Sequence, residues 1–189
     1  MSKRIALLSA VAFSAFAITA TIVAPVSAQD KMTSGEKTVM VGGAAMFPSN
    51  NIIQNAVNSK DHTTLVAAVK AAGLVDTLEG KGPFTVFAPT NAAFSKLPAG
   101  TVDTLVKPEN KATLTKILTY HVVPGKLEAS DLTDGKKLKT VQGEELTVKR
   151  SGDKIMLIDA KGGSSTITIE NVNQSNGVIQ VVDTVLMPS

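Results

Sequence analysis

The 189-residue sequence predicts an α+β domain. Helical periodicity fills the first half, short alternating apolar runs fill everything after about Lys137, and a corner at Thr85 to Phe94 joins one habit to the other. No segment repeats internally, so one domain copy is expected.

Met1 to Ala28 has the anatomy of an export signal: Lys3 and Arg4 in front, an apolar run from Ile5 to Val23, and Val26-Ser27-Ala28 as a small-residue cleavage site. Cleavage is expected after Ala28, with a secreted or periplasmic product and no membrane insertion after processing. The apolar run is long enough to span a bilayer, so an uncleaved amino-terminal anchor is a competing reading. Absence of cysteine excludes lipoprotein processing and disulfides alike.

Removing 28 of the 189 residues leaves 161, a size that buries about two thirds of its unfolded surface. The net charge of +3 falls to +1 once Lys3 and Arg4 are gone, and no basic cluster remains. Nucleic acid is therefore not an expected partner.

Residues 29–47 show no sustained period and are expected to be a flexible lead-in to a single domain over 48–189. Asparagines 50 and 51 can cap a helix carrying Ile52, Ile53, Ala56 and Val57 on one stripe. A second helix follows, with Asp61 or Thr63 as cap, Leu65, Val66, Ala68, Val69 and Ala72 as buried face, and Gly73 as left-handed stop. Leu74, Val75 and Leu78 continue as a short helical turn before Gly80 to Pro83 breaks the chain.

Thr85, Val86 and Phe87 favour a half-buried strand, and Pro89 removes the amide that a continuing ladder needs. Thr90 or Asn91 then caps a short helix bearing Ala92, Ala93 and Phe94. Thr101 to Val106 reads as another short helix. Pro108 suits the first turn of a longer one, in which Leu114, Ile117 and Leu118 face inward and which ends near Tyr120-His121. Strands are expected at Leu138 to Val141, Glu145 to Lys149, Lys154 to Ile158, Thr166 to Val172 and Val178 to Leu186. Ser151-Gly152-Asp153 and Asn176-Gly177 read as their hairpin turns, the second because Asn-Gly tolerates two positive φ values.

Three stretches together carry a resemblance. Thr85 to Phe94 (TVFAPTNAAF), Thr119 to Gly125 (TYHVVPG) and Asn176 to Pro188 (NGVIQVVDTVLMP) resemble, in order and spacing, the first motif, the tyrosine-histidine motif and the second motif of fasciclin-like domains. The resemblance covers about Pro48 to Ser189. It implies a wedge-shaped β-sandwich with helices from the amino-terminal half packed on it, in extracytoplasmic adhesion or matrix roles without catalysis. It makes Thr85, Phe87, Pro89, Thr90, Asn91, Phe94, Asn176, Gly177 and Asp183 structural motif positions. Asp183 is expected to accept backbone or hydroxyl hydrogen bonds that tie the two motifs together.

Two departures qualify what transfers. Gln180 stands where this family often has histidine. Asn171-Val172 stands where adhesion-active animal members carry an Asp-Ile pair, so the carboxylate that would coordinate a receptor's metal is missing.

Tyr120 and His121 are the partner-binding candidates. The structural reading is preferred for both, because a histidine with no nearby acid or cysteine is usually a packed polar residue. His62 reads as a solvated neighbour of a helix cap. Two histidines and no cysteine exclude a structural zinc site, so no metal and no cofactor is expected. Asp159 and Glu170 have the outer spacing of a calcium loop, but Lys161 and Ser164 fall on its ligand and glycine positions. Serine-hydrolase, zinc-protease and P-loop motifs are absent. The sequence therefore suggests a non-enzymatic module contacting a surface or matrix protein or a glycan. An alternative is a carrier of a small apolar ligand, a pigment or lipid, with Met46 and Phe47 helping to cover a groove.

Overall fold

The computed structural model describes residues 37–189; the expected export signal, its expected cleavage site and residues 29–36 lie outside the described residues. The described part of the lead-in is not loose chain. Strands β1 (Val39–Val41) and β2 (Ala44–Met46) pair antiparallel as a hairpin. Gly42 and Gly43 supply the two positive φ values, 56° and 76°, that a two-residue turn of this kind requires. Val41 and Met46 are buried in the core. Three-residue strands are too short to show alternation, which is why the sequence did not reveal them.

Helix α1 (Ile52–Ala56) starts at Asn51 with a reciprocal capping box: the Asn51 side chain accepts from the Gln54 amide while Gln54 accepts from the Asn51 amide. Helix α2 (Thr63–Ala72) ends on Gly73 at φ 71°. Neither Asp61 nor Thr63 caps it. Its start is instead held from across the molecule, where Asn91 Oδ1 accepts from the Thr64 amide at 3.0 Å and Asn91 Nδ2 donates to the Lys60 carbonyl at 2.9 Å. Helices α3 (Val75–Glu79), α4 (Asn91–Ser95), α5 (Thr101–Leu105) and α6 (Lys111–Tyr120) complete the helical layer. Thr90 caps α4 by accepting from the Ala93 amide at 3.2 Å. One corner thus starts two helices, its own through Thr90 and α2 through Asn91.

The remaining strands are β3 (Phe84–Pro89), β4 (Val122–Pro124), β5 (Lys137–Lys139), β6 (Glu145–Ser151), β7 (Lys154–Ile158), β8 (Ser164–Gln174) and β9 (Gly177–Val182). They form one sheet in the order β4-β3-β9-β8-β7-β6-β5. Strand β8 serves two groups of partners. Its residues Ser164 to Thr166 pair with β7, whereas Ile167 to Gln174 pair with β9 through two register irregularities. Such irregularities bend a strand and let one sheet fold toward a sandwich.

The last strand differs from the sequence expectation. β9 pairs antiparallel with β8 but parallel with β3, from Phe84↔Gly177 to Pro89↔Val182. Both central strands are buried on both faces, as parallel pairs usually are. Val86, Ala88, Ile179 and Val181 face a core shared with the helices and the hairpin. Phe87 and Val182 face a second core closed by Leu132, Leu146, Ile155 and Leu157.

Asn176-Gly177 is not the predicted turn. Gln174 pairs with Gly177, so Ser175 and Asn176 make the two-residue loop and Gly177 opens β9 with no positive φ. Glycine is needed there for another reason: a Cβ at Gly177 would stand 2.0 Å from the Phe84 carbonyl oxygen. Asn176 binds three backbone groups, accepting from the Ile52 amide and donating to the carbonyls of Leu78 and Gly80.

Candidate functional site

Tyr120 and His121 are 0% and 2% exposed, so neither reaches a partner. The contact role considered for them is corrected by burial, and their polar atoms serve the fold. The Tyr120 hydroxyl accepts from the Ala160 amide at 2.9 Å and donates to the Glu145 carbonyl at 3.4 Å. Burial raises its pKa, and the Ala160 amide pulls the other way.

His121 is engaged at both ring nitrogens. Nδ1 lies 2.8 Å from the Ile117 carbonyl oxygen, and Nε2 lies 3.0 Å from the Leu186 amide nitrogen. A carbonyl can only accept and an amide N–H can only donate, so the ring is the neutral tautomer with its proton on Nδ1. Protonating Nε2 would set N–H against N–H. Burial pushes its pKa down to about 4, against opposing pulls from the Ile117 carbonyl and Asp159.

The other motif positions likewise bind the chain to itself. Thr85 Oγ1 donates to the Gly125 carbonyl at 2.6 Å and accepts from the Leu127 amide at 2.8 Å. Asp183 Oδ1 accepts from the Thr166 amide at 2.9 Å and the Thr184 hydroxyl at 3.0 Å, while Oδ2 stands 3.7 Å from Lys96 Nζ just past the corner. Those donors hold its pKa down although burial opposes them. Asp159 accepts from the amides of Lys161, Gly163 and Met187, which makes it a turn-forming residue.

The two departures from the family pattern meet each other. Gln180, fully buried, accepts from the Asn171 amide at 3.0 Å and donates to the Leu127 carbonyl at 3.1 Å. Asn171 has φ 56°, a left-handed backbone that asparagine tolerates better than most residues, and its side chain accepts from the Ala129 amide at 2.7 Å. This pair ties the bend in β8 to the chain that follows β4.

His62 is the residue whose place sequence reasoning missed. It is 3% exposed rather than solvated. With His121 it lines an apolar cavity of about 40 Å³ between the hairpin, the helices and the sheet, whose other walls include Val41, Met46, Val66 and Ile179. Ser59 Oγ lies 2.9 Å from His62 Nδ1, whereas His62 Nε2 is buried without a hydrogen-bond partner. Burial lowers the His62 pKa, while the Ala88 backbone and Asp61 oppose it. A polar atom left so costs about 1–3 kcal/mol. A serine three residues before a histidine is the only local signal, and it is a common one.

At about 40 Å³ the cavity is far below the roughly 300 Å³ and more that drug-sized ligands occupy, so it has no room for a whole pigment or lipid. Met46 is a cavity wall, but Phe47 points to solvent.

The outer surface of the same region is different in character. Met40, Phe47 and Val57 are 60%, 43% and 48% exposed, unusual values for large apolar side chains. Asn51, the cap of α1, and Gln54 within it stand three residues apart and so are neighbours on the helix surface. Both line an open cleft of about 600 Å³, together with Lys81, Lys126, Ser175 and Asn176.

Comparison with known proteins follows the same outline. The Fasciclin domain family model matches residues 60–188. Protein sll1483 of a Synechocystis species is 47% identical over 164 residues, covering 87% of this chain and 88% of the relative. Immunogenic protein MPB70 of Mycobacterium bovis is 41% identical over 138 residues, covering 70% of this chain and 66% of the relative. Cell surface glycolipoprotein MPB83 of the same species is 40% identical over 152 residues, 78% of this chain and 64% of the relative. Among solved structures, the FAS1 domain pair of the insect cell adhesion molecule fasciclin I superposes with a TM-score of 0.66 at 17% identity. That superposition covers 75% of this chain and 52% of the pair, so this chain spans about half of it and shares its fold.

Proposed function

Because the chain belongs to the fasciclin domain family, we propose that it is an exported, non-enzymatic module that contacts a protein or glycan of the cell envelope, the matrix or a host surface. The observation that carries this reading is the division of labour among its side chains. Tyr120, His121, Asp159 and Asp183 all bind the chain's own backbone, whereas Met40, Phe47 and Val57 stand in solvent. General acid-base chemistry needs titratable groups facing a substrate, and these four face the fold. Large exposed apolar side chains suit a contact surface instead.

The names of the relatives support an extracytoplasmic place, since MPB83 is a cell surface glycolipoprotein and the structural neighbour comes from a cell adhesion molecule. The export signal agrees with it. Among the described residues no helix is long and apolar enough to cross a membrane.

The test uses purified chain lacking the signal, applied to envelope and culture-supernatant fractions. Replacing Met40, Phe47 and Val57 together with serine should weaken capture at least about 30-fold, the equivalent of one strong interface residue, while melting stays within a few degrees. Unchanged capture by the triple variant would remove the face from the reading.

A further inference from the structure

We propose that the cavity beneath the β1–β2 hairpin is a binding site for a small, mainly apolar molecule carrying one hydrogen-bonding oxygen, which His62 Nε2 holds. This rests on the interior of the molecule and stands apart from the surface contact proposed above.

Chemistry and size select the ligand together. Of all the residues that line the cavity only His62 and His121 are polar. His121 already uses both ring nitrogens, which leaves His62 Nε2 as the one ring nitrogen among the lining residues without a hydrogen-bond partner. The Ala88 backbone stands against the ring as a hydrogen-bonding group and raises its pKa, but no bond of good geometry engages Nε2. An ordered water needs two to four polar partners, and an apolar space offering fewer stays dry. Water is therefore a poor occupant here. A cavity of about 40 Å³ leaves room for a short carbon body and one oxygen and excludes anything of drug size. Short-chain alcohols and ketones have that composition.

The hairpin provides the way in. It is a two-stranded sheet of its own, separate from the seven-stranded sheet, and its Val41 and Met46 form one wall of the cavity. A hairpin of this size is marginal without its neighbours and opens more readily than a central strand. Its turn sits tightly on Ser59: a Cβ at Gly42 would lie 2.4 Å from Ser59 Oγ, the same atom that reaches His62 Nδ1.

The experiment is an NMR titration of the purified chain lacking the signal with 2-propanol, which both donates and accepts, and with xenon, which does neither. With wild-type protein, 2-propanol should shift the His62 ring nitrogens and the Val66 and Ile179 methyl groups saturably, and should slow hydrogen exchange at Val41 and Met46. Xenon should move the methyl groups alone. In His62→Leu, xenon binding should persist while 2-propanol binding weakens at least tenfold. The ring-nitrogen readout needs no variant, so the proposal stays falsifiable if His62→Leu does not fold. A 2-propanol titration that leaves the His62 nitrogens unmoved, or an ordered water on Nε2 at high resolution, overturns it.

Discussion

Acid should unfold this domain through His121. Its ordinary pKa of 6.5 falls to about 4 in the folded state, where Ile117 fixes the proton on Nδ1 and the Leu186 amide occupies Nε2. The unfolded chain therefore binds a proton as pH drops through about 6.5, and the folded chain resists until about 4. In that window the unfolded state holds more protons, so stability rises with pH across it and is lost as pH falls. The contribution is complete above the unfolded pKa. A difference of about 2.5 units corresponds to about 3 kcal/mol, a large share of the roughly 5–15 kcal/mol that stabilises an ordinary domain. His62, also lowered by burial, acts in the same direction.

Urea unfolding at a series of pH values from 8 to 4.5 measures this directly. Wild type should lose about 2.5 kcal/mol over the range through this group, and His121→Asn, though weaker at pH 8, should lose distinctly less. Ring-nitrogen NMR of the folded protein should show no titration of His121 above pH 5. A folded-state titration near 6.5, or a wild-type stability that does not change between pH 8 and 4.5, refutes the reasoning.

Gly177→Ala should prevent folding or cost more than about 4 kcal/mol, because its Cβ would collide with the Phe84 carbonyl at 2.0 Å and force β3 from β9; thermal unfolding checks it. A normally stable variant would mean that the parallel pairing is misplaced. Asp183→Asn keeps an oxygen for the Thr166 amide but loses the charge facing half-exposed Lys96. It should therefore cost about 1 kcal/mol or less, a shift of a few degrees in Tm, and leave envelope capture intact. Full stability with abolished capture would instead make Asp183 a contact residue.

Local signals foretold local structure well. Asn51, Thr90 and Gly73 end or start helices as the sequence suggests, because a cap depends on the few residues around it. β7 lies at its expected Lys154–Ile158, and Ser151-Gly152-Asp153 turns into it with Gly152 at φ 61°. The failures share a cause. Asn176-Gly177 looks like a turn by composition, yet its glycine answers to the Phe84 carbonyl and its asparagine to Ile52, Leu78 and Gly80, all distant in sequence. Asn91 similarly looks like a cap for its own helix and serves α2.

The candidate site was less legible still. Nothing around His62 distinguishes a solvated histidine from one sealed in an apolar cavity, because burial is decided by what other elements lay over it. The hairpin that covers it is too short to announce itself. The sequence alone determined the α+β class and the family through its three ordered motifs. Only the tertiary structure decided that Tyr120 and His121 are interior, that His62 faces a cavity, and that β9 enters between β3 and β8. Caps and periodicity are written in neighbours a few residues apart, whereas burial and strand order come from surfaces brought together across more than a hundred.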